Sequence, residues 1–174
     1  DALEVDVVLD SGDYAGLLDR TLETFDWAGI RNSLDIRRRN GETVGAGLGF
    51  FVEKSGLGPT DNARIDLDAN GKLTVVTGAA NLGQGVATAM TQICSSVLGT
   101  DYADMGFVSG RTDIIDEGYG SHASRTTVMT GEAVRLASID LRQRIAEIAS
   151  EKLQAEAADI QVADGAARHR ETGA

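Results

Sequence analysis

The sequence is poor in the residues that build disulfide frameworks, zinc clusters and polyanion-binding surfaces. Its 174 residues include one Cys, one Pro, two His and 16 Lys and Arg, against 27 Asp and Glu. A single cysteine excludes an internal disulfide and a Cys-rich zinc site, so we expect a reducing, cytoplasmic setting. The formal net charge of −11, with a single short basic run at Arg37-Arg38-Arg39, argues against nucleic acid or an anionic membrane as a partner.

The sequence also lacks long hydrophobic runs. It has no stretch of about 18 apolar residues and no signal-peptide pattern, so we predict no segment that spans a membrane. The chain begins at Asp1 without a methionine, inside an alternating stretch at residues 3–8, and it closes on polar residues. These two ends lead us to expect a piece of a longer protein.

Helical and strand periodicities are both present. Apolar residues at three- and four-residue steps predict helices, and we place them over residues 14–27, 28–39, 86–98 and 130–155. A glycine-punctuated apolar run predicts a buried strand at residues 44–52. Alternating residues on both sides of Asn70-Gly71 predict a hairpin over residues 63–77.

Shorter strands are predicted at residues 105–109 and 160–162, the second followed by an Asp164-Gly165 turn. The order of elements indicates an α+β fold, with a mixed or antiparallel sheet and helices packed on one face. We expect one partial domain over residues 1–174, with sub-repeats at 1–60 and 61–174.

Two glycine-rich segments, residues 78–85 and 118–127, run directly into predicted helices. The first N–H groups of a helix have no partner within it, and the helix dipole adds partial positive charge there. Glycine lets a ligand approach the backbone, while neutral amide and hydroxyl groups add donors. The pattern predicts a pocket for a phosphorylated or heterocyclic ligand. Its candidate side chains are Gln84, Ser121, Ser124, Arg125, Thr126 and Thr127.

Each of these features also has an ordinary structural explanation. A glycine before a helix is usually a turn, Ser124 suits a helix cap, and Arg125 suits a surface salt bridge. His122 has no second His or Cys nearby in the sequence, and Cys94 falls on the apolar face of its helix. We therefore assign no catalytic residue and no metal ligand.

The order and spacing of these features resemble the large subunit of molybdenum hydroxylases, the family of xanthine dehydrogenase, aldehyde oxidase and aerobic carbon monoxide dehydrogenase. The resemblance rests on Gly83-Gln84-Gly85, Thr88, Gln92, Leu98-Gly99 and the loop from Asp113 to Gly131. It implies a fragment of the molybdopterin-binding domain, whose cofactor in bacteria is usually the molybdopterin cytosine dinucleotide.

By this resemblance, Gly83, Gln84 and Gly85 line one side of the cofactor. The contacts to phosphate and pterin come from Ser121, His122, Ala123, Ser124, Arg125, Thr126 and Thr127. The family loop often reads Gly-Ser-Arg. Here His122 and Ala123 stand between Gly120-Ser121 and Ser124-Arg125, which leaves open which serine contacts the phosphate.

The resemblance implies a parent enzyme that oxidises carbon monoxide, or hydroxylates an aldehyde- or purine-type substrate with oxygen from water. Its partners are the remaining large-subunit domains and the iron–sulfur and FAD subunits or domains. The active-site loop and the catalytic glutamate have no match here, since Glu171 lacks a glycine-rich context. We expect the segment by itself to be inactive, to lack the cofactor and to self-associate. A non-catalytic scaffold and a free-standing nucleotide-binding domain stay open as alternatives.

Overall fold

A computed structural model describes residues 11–53 and 55–174 of the chain. The chain divides into two compact units, Asp1–Val52 and Glu53–Ala174. Both glycine-rich segments belong to the second unit. The alternating stretch at residues 3–8 lies outside the described residues.

The described part of the first unit contains two helices, α1 (Tyr14–Thr24) and α2 (Trp27–Arg39). Each begins after an aspartate, Asp13 or Asp26, whose carboxylate accepts a backbone N–H three residues later, at 2.8 and 3.1 Å. The predicted end of the first helix at residue 27 is wrong. Asp26 adopts a left-handed conformation, with φ of 44°, which separates the two helices while its side chain caps the second. The second predicted helix is confirmed.

The apolar run at residues 44–52 forms neither a strand nor a helix. Its aromatic side chains are exposed, Phe50 by 51% and Phe51 by 81%. A buried strand needs a neighbouring strand for its backbone N–H and C=O groups, and no strand among the described residues pairs with this run. The prediction of a buried strand here is wrong.

The first two strands of the second unit, β1 (Ala63–Leu67) and β2 (Leu73–Thr77), form the predicted hairpin. The Asp68 carboxylate closes the turn, accepting the backbone N–H groups of Lys72 at 2.9 Å and of Asn70 at 2.8 Å. These hydrogen bonds, that from Lys72 first, lower the pKa of Asp68. The prediction of a hairpin closed by an Asn-Gly turn is confirmed.

A parallel strand extends this hairpin. After β2 the chain forms α3 (Val86–Leu98), a 3₁₀ turn (Tyr102–Asp104) and then β3 (Gly106–Ser109). β3 lies parallel to β2, so the sheet has the order β1-β2-β3 and is mixed. Because parallel strands need a crossover connection, α3 is packed against the sheet that it connects. The predictions of the helix and of the strand are both confirmed.

The last part of the unit is helical and then strand-forming. A π-helical turn (Thr126–Thr130) leads into α4 (Gly131–Leu153), which is followed by a 3₁₀ turn (Ala157–Asp159). The strands β4 (Ile160–Ala163) and β5 (Ala166–His169) then pair antiparallel across the predicted Asp164-Gly165 turn. The α+β class with a mixed sheet is therefore confirmed.

The core of this unit lies between β2 and the helices α3 and α4. Four residues of α3 spaced four apart are buried, as an amphipathic helix requires. The buried cluster consists of Leu73, Val75, Ala79, Val86, Met90, Cys94, Leu98 and Val134. Within the described ranges, no helix has both the length and the apolar character needed to cross a membrane.

The reactivity of the Cys94 thiol tests the packing of α3 directly. Burial raises the pKa of its thiol, with the Ser138 hydroxyl acting in the opposite sense, and a fully buried thiol is also out of reach of reagents. We expect the peptide that carries Cys94 to be alkylated at least about 100-fold more slowly in native protein than in urea, because labelling requires local unfolding. Mass spectrometry of that peptide measures the ratio, and rapid native labelling would contradict the packing of α3.

Candidate functional site

The two glycine-rich segments meet at one edge of the sheet. Residues 78–85 follow the carboxyl end of β2, and the loop at residues 110–125 follows the carboxyl end of β3. Since β2 and β3 are parallel, their carboxyl ends lie side by side. In open sheets with parallel strands, this edge is where ligands bind.

A backbone contact between two glycines holds the segments together. A Cβ atom added to Gly78 would collide with the carbonyl oxygen of Glu117, and one added to Gly118 would collide with the carbonyl oxygen of Gly78. No side chain fits at either position. Both glycines are therefore needed for the close approach of the two chains.

The Ser121 hydroxyl then joins the two segments through side chains. It donates to the carbonyl oxygen of Ala80 at 2.7 Å, and it accepts from Gln84 Nε2 at 3.2 Å and from Thr126 Oγ1 at 2.9 Å. A hydroxyl has one proton and two lone pairs, so these three bonds use its full capacity. Ser121 is thus committed to holding the segments together.

Gln84 is fixed by bonds within its own segment. Its Oε1 accepts the backbone N–H of Leu82 at 2.6 Å, while its Nε2 also donates to the carbonyl oxygen of Ala80 at 3.0 Å. The Gly83-Gln84-Gly85 turn is therefore ordered before any ligand binds.

An open cavity of about 540 Å³ lies beside this network. Its lining contains no Asp, Glu, Lys or Arg, so neutral groups dominate. The lining residues are Leu82, Gln84, Ser121, His122, Ala123, Ser124, Thr126, Thr127 and Val128. Of the sequence candidates, Gly83, Gly85 and Arg125 are not in the lining.

Two helical N-termini begin at this site. The residue that precedes α3 is Gly85, and the residue that precedes the π turn is Arg125. Neither position has a side chain that hydrogen-bonds to the first-turn N–H groups. Such N–H groups are natural donors to an anionic ligand.

The Arg125 side chain points away from the cavity lining and is fully buried. Its Nη2 donates to the carbonyl oxygen of Thr60 at 3.0 Å and lies 3.4 Å from Asp61 Oδ2, a carboxylate that is 1% exposed. The surface salt bridge considered from the sequence is therefore a buried one. Sequence reasoning missed Asp61 because it follows no apolar periodicity and lies 64 residues from Arg125.

The described residues contain no group of three or more His, Cys, Asp and Glu side chains arranged to hold a metal ion. His122 stands in the cavity lining without a second such residue beside it. The arrangement has the character of a site that binds an organic anion through neutral donors.

Comparison with known proteins gives a family model that matches most of the chain. Residues 20–174 match the family model of the molybdopterin cofactor-binding domain. Over 156 residues the chain is 32% identical to the 6-hydroxypseudooxynicotine dehydrogenase complex subunit gamma of Paenarthrobacter nicotinovorans, covering 90% of this chain and 20% of that protein. It is 27% identical over 169 residues to the carbon monoxide dehydrogenase large chain of Afipia carboxidovorans, covering 87% of this chain and 21% of that one.

Solved structures resemble the chain as well. Quinoline 2-oxidoreductase from Pseudomonas putida 86 matches with a TM-score of 0.63 and 29% identity, over 93% of this chain and 22% of that one. The Cu,Mo-CO dehydrogenase matches with a TM-score of 0.63 and 26% identity, over 94% and 23%. The chain spans about a fifth of the length of the curated relatives named above.

The glycine contact can be tested by substitution. Gly118→Ala places a methyl group against the carbonyl oxygen of Gly78, so we expect it to lower the free energy of unfolding by about 1–3 kcal/mol. Gly47→Ala is the matched control, because a Cβ there meets nothing within 4 Å. Urea denaturation measures both variants, and equal stability would contradict the close approach of the two segments.

Proposed function

Since the chain belongs to the molybdopterin cofactor-binding domain family, we propose that its two glycine-rich segments hold the pterin and the phosphate of a molybdopterin cofactor. When bound, this cofactor supplies a redox-active molybdenum centre. The chain itself supplies binding and orientation, which is the usual share of the protein in cofactor enzymes.

The donor set of the cavity fits such a group. A phosphate suits the uncapped N–H groups that follow Gly85 and Arg125. A pterin ring carries both donors and acceptors on its edge. Both hydrogens of Gln84 Nε2 are engaged by Ala80 and Ser121, so Gln84 offers the remaining lone pair of its Oε1 to a donor on the ring. The full set that we propose comprises Gly83, Gln84, Gly85, Ser121, His122, Ala123, Ser124, Arg125, Thr126 and Thr127. Arg125 belongs to it by its position before the π turn, since its side chain is buried and its backbone N–H donates to the carbonyl oxygen of His122 at 2.9 Å.

Within this set the two serines have different roles. The three hydrogen bonds of Ser121 leave it no capacity for a phosphate. Ser124 is exposed and lines the cavity. We therefore assign the phosphate to Ser124 and the joining of the two segments to Ser121.

For the protein as a whole we propose a molybdenum-dependent oxidoreductase in the cytoplasm. It would hydroxylate a carbon centre with oxygen from water, or oxidise carbon monoxide, and its cofactor would be the cytosine dinucleotide form. Iron–sulfur and FAD subunits or domains would accept the electrons. The family membership and the likeness to subunits of dehydrogenases support this proposal. The segment described here would orient the cofactor and have no activity by itself.

Substitutions at the two serines and at Gln84 test the site in the full-length protein. We expect Ser124→Ala and Gln84→Ala each to weaken cofactor retention about 3- to 10-fold, the value of one lost hydrogen bond. Ser124→Ala leaves thermal stability unchanged, whereas Ser121→Ala lowers both retention and stability because it disconnects the two segments. Molybdenum and pterin that remain after gel filtration measure retention.

Gln143→Ala is the control, because Gln143 is an exposed glutamine on α4 outside the cavity. Unchanged retention in every variant would favour the non-catalytic scaffold. A bound nucleotide without molybdenum or pterin would favour the free-standing nucleotide-binding domain. Either result would overturn the proposal.

A further inference from the structure

The buried ion pair of Arg125 and Asp61 has no place in the ligand site described above. Arg125 is fully buried, and its Nε and Nη1 have no hydrogen-bond partner among the described residues. Burying a charged pair that is only partly satisfied costs stability, and hydrophobic residues of similar size are often as stable there. Packing by itself therefore gives no reason for an arginine at this position.

The guanidinium connects parts of the unit that are far apart in the sequence. Its Nη2 reaches the carbonyl oxygen of Thr60, and the Asp61 oxygen that it faces also accepts the hydroxyl of Thr130 in the π turn. The ring of Tyr119 lies on the guanidinium, with 5.2 Å from Cζ to its centroid. The loop, the π turn and the segment at residues 56–61 are thus joined through one side chain.

The segment at residues 56–61 contacts the glycine-rich segment at residues 118–127. The backbone N–H of Gly56 donates to the carbonyl oxygen of Ala123 at 2.8 Å. At Gly58, where φ is +99°, an added Cβ would collide with Nη1 of Arg125. Glycine is therefore required at position 58 both by its backbone conformation and by the guanidinium beneath it.

The glycine-rich segment at residues 118–127 has an unusual backbone conformation. Ala123 and Ser124 are consecutive non-glycine residues with φ of 45° and 52°. Left-handed conformations are unfavourable for such residues and persist where the surroundings enforce them. The Gly56 hydrogen bond acts on the first of the two, and the buried Arg125 side chain immediately follows the second.

We propose that Arg125 is a positioning residue that fixes the strained loop against residues 56–61, so that Ser124 and the N–H groups at the start of the π turn face the cofactor phosphate. This role rests on the proposed function. It assigns the segment at residues 56–61, which does not line the cavity, to the support of the site.

The test separates loop position from global stability in full-length protein prepared without cofactor. Arg125→Met leaves the Asp61 carboxylate buried without its partner, and the thermal midpoint falls. The double variant Arg125→Met/Asp61→Asn removes both charges and keeps an acceptor for Thr130, so most of the midpoint returns. In both variants we expect amide hydrogen exchange at residues 119–127 to be about tenfold faster than in the unsubstituted protein, and cofactor binding to weaken in parallel.

Gly58→Ala provides a test that leaves the ion-pair residues in place. Its methyl group displaces the buried guanidinium, so exchange at residues 119–127 rises. Gly71→Ala is the matched control, because φ is +83° there and an added Cβ meets nothing within 4 Å. Exchange at the loop stays unchanged in this control.

A double variant that regains both its thermal midpoint and the slow exchange of the loop would overturn the positioning role. So would equal exchange in the Gly58 and Gly71 variants. The proposed function fails separately, if Ser124→Ala and Gln84→Ala leave cofactor retention unchanged. If loop exchange stays slow in all ion-pair variants while Ser124→Ala and Gln84→Ala reduce cofactor retention, the positioning role is overturned and the ligand site stands.

Discussion

The parallel pairing of β2 with β3 is the constraint on which the candidate site depends. An antiparallel β3 would place residues 78–85 and the loop that precedes α4 at opposite edges of the sheet. Parallel pairing places them side by side, and the backbone contact of Gly78 with Gly118 then removes the space between them. The Ser121 hydrogen bonds and the cavity depend on this approach, which also brings the two helical N-termini to one site.

The negative charge of the chain disfavours an anionic ligand, and the neutral composition of the cavity limits this effect. A formal net charge of −11 repels a phosphorylated ligand at long range, although physiological salt screens this within about 8 Å. At short range, uncapped N–H groups and neutral side chains offer hydrogen bonds without adding a carboxylate to the cavity. Arg125, the arginine of the glycine-rich segment at residues 118–127, is directed into the interior, where Asp61 balances its charge.

Local chemistry accounts for what could be predicted from the sequence. The Asn70-Gly71 hairpin, the amphipathic α3 and the glycine segments at helix starts each depend on neighbouring residues, and their predicted elements are present. The parallel pairing of β2 with β3 could also have been predicted, because a strand, a helix and a strand in succession favour it. Two of the differences are tertiary in origin: a strand at residues 44–52 has no described partner, and Arg125 meets an aspartate 64 residues away. The earlier end of α1 is local, since it comes from the left-handed conformation of Asp26.

An experimental structure of the full-length protein with its cofactor bound tests the central claim most directly. The account predicts a phosphate oxygen within about 2.7–3.2 Å of the Ser124 hydroxyl or of the N–H groups of residues 126 and 127, with the pterin against Gln84. The Arg125 guanidinium would remain on Asp61, away from the phosphate. A cofactor bound elsewhere, or an Arg125 side chain turned outward to bind the phosphate, would contradict it.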